Sequence, residues 1–93
     1  MNYRLTITGI NWYKDGEEYL LYSEESGDML LLGALGYQLV THMQQQPTQF
    51  FSLEQLVKLT PDYLMTNDHE LVKNINELMQ NLLKLNLVKV VSA

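Results

Sequence analysis

Residues 68–86 read DHELVKNINELMQNLLKLN. At about 100° per residue, Leu71, Ile75, Leu78, Leu82 and Leu85 fall on one tight stripe. Val72, Met79 and Leu83 form a second stripe beside it. Together they cover roughly 160° of the circumference, where a surface helix usually needs roughly 100°. His69, Glu70, Lys73, Asn74, Glu77, Gln80, Asn81 and Lys84 fill the remaining arc. The pattern predicts a long amphipathic helix with more apolar surface than one neighbour covers. One stripe buries against the domain. The second is covered either by the N-terminal strands or by a partner lying in a groove.

The ends of this helix are marked by local chemistry. Asn67 with Glu70 offers a capping pair at its start, and Asn86 sits where a left-handed residue would end it, a role asparagine can fill. Leu87–Val91 beyond it is a short β-prone tail. Upstream, Thr60–Asn67 reads as a loop opened by Pro61. A second helix is capped by Ser52 with Gln55 three residues on, a capping box, and Leu53, Leu56 and Val57 are its core side. Phe50 is placed to begin a hydrophobic staple to Leu56. A first helix starts near Gly33 or Ala34, turns Leu35, Leu39, Val40 and Met43 inward, and ends before Pro47. Gly33 and Gly36 at its start would admit close backbone packing.

The first third of the chain reads as strands. Tyr3, Leu5 and Ile7 alternate with Arg4, Thr6 and Thr8, the period of a half-buried strand. Gly9 interrupts the pattern, and Ile10–Lys14 either continues the strand or turns back. Asp15-Gly16 is a hairpin signal, because glycine tolerates the positive φ such turns demand. Glu18–Ser23 is the next strand, residues 25–28 (ESGD) a second turn, and Met29–Leu32 a third, all-apolar strand. That run does not alternate, so its outward face is open. Three N-terminal strands followed by three helices make an α+β fold with segregated elements. The last two helices admit a helix-turn-helix, with the hairpin as a wing.

Ninety-three residues support one core. Without cysteine there are no disulfides and no thiolate metal sites, which suits a cytoplasmic protein. No apolar run approaches the roughly 20 residues of a membrane span, and MNYRLTITG lacks the apolar core of a signal peptide. The net charge is −5, and residues 1–32 carry −4 of it. An acidic surface repels phosphate backbones and argues against nucleic acid.

Catalytic material is sparse. The two histidines, His42 and His69, stand on different helices and form no ligand spacing for a metal. None of Ser23, Ser26, Ser52 and Ser92 lies in a Gly-x-Ser-x-Gly elbow, and no phosphate-binding glycine loop is present. No cofactor is expected. Trp12, Tyr13, Tyr19 and Tyr22 are expected to pack across strands on one sheet face; a base-stacking platform would bring basic residues with it, whereas the neighbours are Glu17, Glu18, Glu24 and Glu25. The last helix offers Asn74, Asn76, Gln80 and Asn81 to base edges, but only Lys73 and Lys84 for charge.

The run Trp12, Tyr22, Ser26-Gly27-Asp28 and Leu32 resembles the N-terminal half of the PqqD-like peptide chaperones, in the branch found beside HPr-kinase-related genes (the HPr-rel-A system). Leu35 and Leu39 match the leucines of that family's first helix. Pro47 followed by residues 52–56 (SLEQL) is similar to its proline-to-helix step, and residues 82–88 (LLKLNLV) to its closing leucine motif. Asn86 stands where the family usually has glycine, and Gly33 where asparagine is common. The resemblance spans nearly the whole chain and implies that residues 1–93 form a single domain. It implies a winged helix-turn-helix recognition element for ribosomally made precursors, which binds a leader peptide rather than DNA. The leader would add as a strand to the edge of the third strand and lie against the third helix. Met29 and Leu31 would then line the edge, and Val72, Ile75, Met79 and Leu83 the helix wall. The partners implied are a precursor peptide and a maturation enzyme. The adaptor itself would have no catalytic activity, and would be a monomer or weak homodimer with no membrane contact. The rival readings are a DNA-binding regulator on the same fold and a self-associating module whose second stripe is a dimer seam.

Overall fold

Gly9 separates two strands that go to different sheets. The computed structural model describes residues 1–6, 9–61, 64 and 67–91; Ile7 and Thr8, expected in the first strand, lie outside them. The chain runs β1 (Asn2–Leu5), β2 (Ile10–Asp15), β3 (Glu18–Ser23), β4 (Met29–Leu32), α1 (Ala34–Gln45), β5 (Phe51–Ser52), α2 (Leu53–Leu59), α3 (Asp68–Lys84) and β6 (Val88–Val91). The expected α+β winged helix-turn-helix is present, with β2-β3-β4 as the N-terminal three-stranded sheet. β1 leaves that sheet. It pairs antiparallel with β5 on one side and with β6 on the other, Tyr3 opposite both Phe51 and Val90. The β-prone tail is thereby committed to β1.

The wing sheet is built by two turns. Asp15 pairs with Glu18 across a two-residue loop, and only Gly16 in that loop has positive φ, at 63°, the pattern of a type II′ turn. At the other end the Ser23 amide donates to the Asp28 carbonyl at 2.9 Å and the Gly27 amide to the Ser23 carbonyl at 2.8 Å. Gly27 takes φ 75°. The buried Ser23 hydroxyl accepts from the Ser26 amide.

The helices begin and end as their capping residues dictate. The Gln55 amide donates to Ser52 Oγ at 3.1 Å and the Ser52 amide to Gln55 Oε1 at 2.8 Å, a complete capping box. Phe51, not Phe50, is the residue just before the cap that is buried with Leu56. Phe50 is half-buried instead, with the Arg4 guanidinium 5.0 Å over its ring. At α3 the Glu70 amide donates to Asn67 Oδ1 at 2.8 Å. Asn86 takes φ 59°; its amide reaches the Leu83 carbonyl, and the Leu87 amide reaches that of Leu82. This is a Schellman ending with asparagine in the left-handed position, and it delivers the buried Leu87 into the core.

The core joins Tyr3 and Leu5 of β1, Leu21 and Leu32 of the wing, Leu39, Val40 and Met43 of α1, Leu56 of α2, and Leu71, Ile75 and Leu82 of α3. Each such fully buried leucine contributes roughly 1.5–3 kcal/mol. Gly36 is buried because α1 lies hard against β4: a Cβ there would sit 3.1 Å from Leu32 Cβ.

Candidate functional site

The wing sheet has two faces. Ile10, Trp12, Tyr19, Leu21, Leu30 and Leu32 lie on one, as the register requires. There Tyr37 of α1 stacks on Tyr19 at 4.0 Å between centroids and meets Trp12 edge-on at 4.9 Å, and Trp12 Nε1 donates to Gln44 Oε1. Tyr13, Leu20, Tyr22, Met29 and Leu31 lie on the other face. Met29 is 60% exposed and Leu31 54%. This fixes the outward residues of the all-apolar strand. The four aromatics divide, Trp12 and Tyr19 inward, Tyr13 and Tyr22 outward, and the inward pair is completed by a helix residue that strand pairing alone does not reveal.

Among the described residues, β4 has a strand on one side only. The main-chain groups that face its open side follow from the register. Ser23 and Asp28 form a bonded pair, and bonded and non-bonded pairs alternate along an antiparallel ladder. Leu30 and Leu32 therefore bond to Leu21 and Tyr19 of β3, while Met29 and Leu31 turn their N–H and C=O groups to the open border.

That border adjoins a cleft of about 230 Å³ lined by Leu31, Leu32, Gly33, Leu35, Gly36, Asn74, Glu77, Leu78 and Asn81. Its far wall is α3, but not the flank the apolar surplus points to. Ile75 and Met79 are 0% exposed; they belong to the core and stand behind the wall, not on it. Leu83 is half-buried against the core, and Val72, 41% exposed, lies on the opposite flank. The chain itself has closed most of the second stripe. What faces β4 is Leu78 with the polar residues Asn74, Glu77 and Asn81. Among the described residues no group of three His, Asp or Glu is placed to hold a metal, and no helix is long and apolar enough to cross a membrane.

The fold is thus a small winged helix-turn-helix with an open sheet border beside its longest helix. No protein-family model matches the chain, and no curated protein matches it in sequence. Among solved structures, it is similar to TbiB1 in complex with the TbiA(beta) leader peptide, with a TM-score of 0.68 at 11% identity, over 97% of this chain and 99% of that one. At that identity the likeness is one of fold.

Proposed function

We propose that the chain is a non-catalytic peptide-binding adaptor, a single PqqD-like domain of the cytoplasm. It takes an extended leader segment of a precursor as an added strand on β4 and presents it to a separate modification enzyme. The observation that carries this reading is the open border of β4, where Met29 and Leu31 turn main-chain donors and acceptors toward a cleft that α3 walls on its far side. Strand addition uses those groups for affinity and the side-chain pockets for selectivity. The fold likeness to a protein solved with a leader peptide supports it, and the acidic balance, −5 overall, disfavours the nucleic-acid alternative. The site residues proposed are Met29 and Leu31 on the border, with Leu78 and its polar neighbours as the wall. Val72, Ile75, Met79 and Leu83 act from behind or beside it. The test is an amide-shift titration of the labelled protein with short precursor peptides encoded near its gene. Shifts are expected to cluster on residues 29–32 and on residues 74–81. Shifts confined to β2, or none with any peptide, would remove the reading.

A further inference from the structure

Building on the strand-addition reading, we infer that the cleft selects a basic peptide: a segment whose helix-facing residues pair a large apolar side chain with a lysine or, preferably, an arginine, and that Glu77 is the residue that demands it. The lining of the cleft is of two kinds. Leu31, Leu32, Leu35 and Leu78 are apolar, and Asn74, Glu77 and Asn81 are polar. No basic residue is among them. Asn74 and Asn81 stand three residues before and four after Glu77, so the three form one row along the helix. Glu77 makes no ion pair or hydrogen bond among the described residues. Lys73 stands one turn before it and does not come within ion-pair distance.

A strand laid on β4 presents alternate side chains to α3, about 6.8 Å apart. Leu78 is buried at the base of the wall, whereas Glu77, about 100° further round the helix, is at its mouth. An apolar side chain from the strand fills the base. The next residue on the same face passes over Leu78 on its way out. A long aliphatic stem suits that path, and its cationic head emerges at Glu77. A guanidinium has five donors, enough to meet the carboxylate and the two flanking amide oxygens together, which an ammonium does less well. An acidic side chain at that position meets Glu77, with no basic residue lining the cleft to offset it.

The test is selection of extended peptides from a random displayed library against the full chain and against Glu77→Lys, followed by affinity measurements on synthetic copies of the peptides recovered. Wild-type selections are expected to share arginine, then lysine, one residue removed from a large aliphatic or aromatic side chain. Binding of such a peptide should fall about tenfold in Glu77→Gln and weaken with salt. The Glu77→Lys selection should return aspartate or glutamate at the same position. Peptides whose binding is lost in Leu31→Pro but which show no charge preference, or the same preference in Glu77→Lys, overturn this inference and leave strand addition standing. Recovery of no peptide sensitive to Leu31→Pro overturns both.

Discussion

The sheet β2-β3-β4 has two open borders, and they are finished differently. β2 ends in Lys14 and Asp15, both exposed, and the Asn11 side chain donates from Nδ2 to Glu24 Oε1 at 2.7 Å. By the same alternation of bonded pairs, anchored here by the Glu24 amide on the Gly9 carbonyl, Ile10, Trp12 and Lys14 face that border with their main chain. β4 is Met-Leu-Leu-Leu, with no charge and no proline. Charged residues on an edge strand discourage a foreign strand, and an apolar edge invites one. The guarded border is charged, and the unguarded one adjoins the cleft walled by α3. Under the proposed strand addition the bare border is the one that receives the partner strand, and its four-residue length limits casual pairing.

The largest expected effect comes from putting proline on each border. The Leu31 N–H points away from β3, so Leu31→Pro spares the existing ladder while removing a border donor and placing a ring in the way. Calorimetric titration of a cleft-binding peptide should show a loss of about a hundredfold or more, with Lys14→Pro close to wild type. Equal losses would erase the contrast between the borders. Next comes the seat of β4. Gly36→Ala would bring a methyl group to 3.1–3.2 Å from Leu32 Cβ and Cδ2, so that Leu32 must yield by a few tenths of an ångström; overpacking of roughly 1–3 kcal/mol against a helix-propensity gain of roughly 1 kcal/mol leaves a net loss of up to about 2 kcal/mol in denaturant unfolding. Gly33→Ala, with nothing within 4 Å of its Cβ, should stay within about 0.5 kcal/mol. A like loss in both would show that Gly36 does not set the strand's position. The smallest effect is on self-association. Lys14→Leu strips the charge from the β2 border and should raise the sedimentation-detected dimer a few-fold, while Leu31→Lys at the other border should lower it.

Much of the helical half was legible because its signals are local. Asn67 and Glu70, Ser52 and Gln55, and Asn86 each act on backbone groups within a few residues, and each does so in the structure. The departure of β1 was not legible. Its partners are the two-residue β5 and the distant β6, and no local pattern announces a strand that pairs with residues 51 and 90. The outward face of β4 was hidden because four apolar residues in a row carry no alternation, and only the register decides it. The cleft beside β4 lies on the flank of α3 away from the apolar surplus for a related reason. Surplus apolar surface marks where the chain covers itself as readily as where a partner will, and Met79 is fully covered. The residues that do face β4, Asn74, Glu77 and Asn81, look on a helical wheel like ordinary solvent-facing side chains. Two amides and a carboxylate in a single row, a turn apart, were the available clue.

The pairing of Asn2 with Val91 ties the order of assembly to the order of synthesis. The wing hairpins and the two capped helices can form as soon as their own residues have been made. The first strand cannot complete its ladder until residue 91 exists, and meanwhile has only the two residues of β5 to hold. Closing so long a loop is slow compared with hairpin or helix formation. During that interval the nascent protein shows a temporary open edge at β1, which β6 then covers, whereas the borders of β2 and β4 persist after folding.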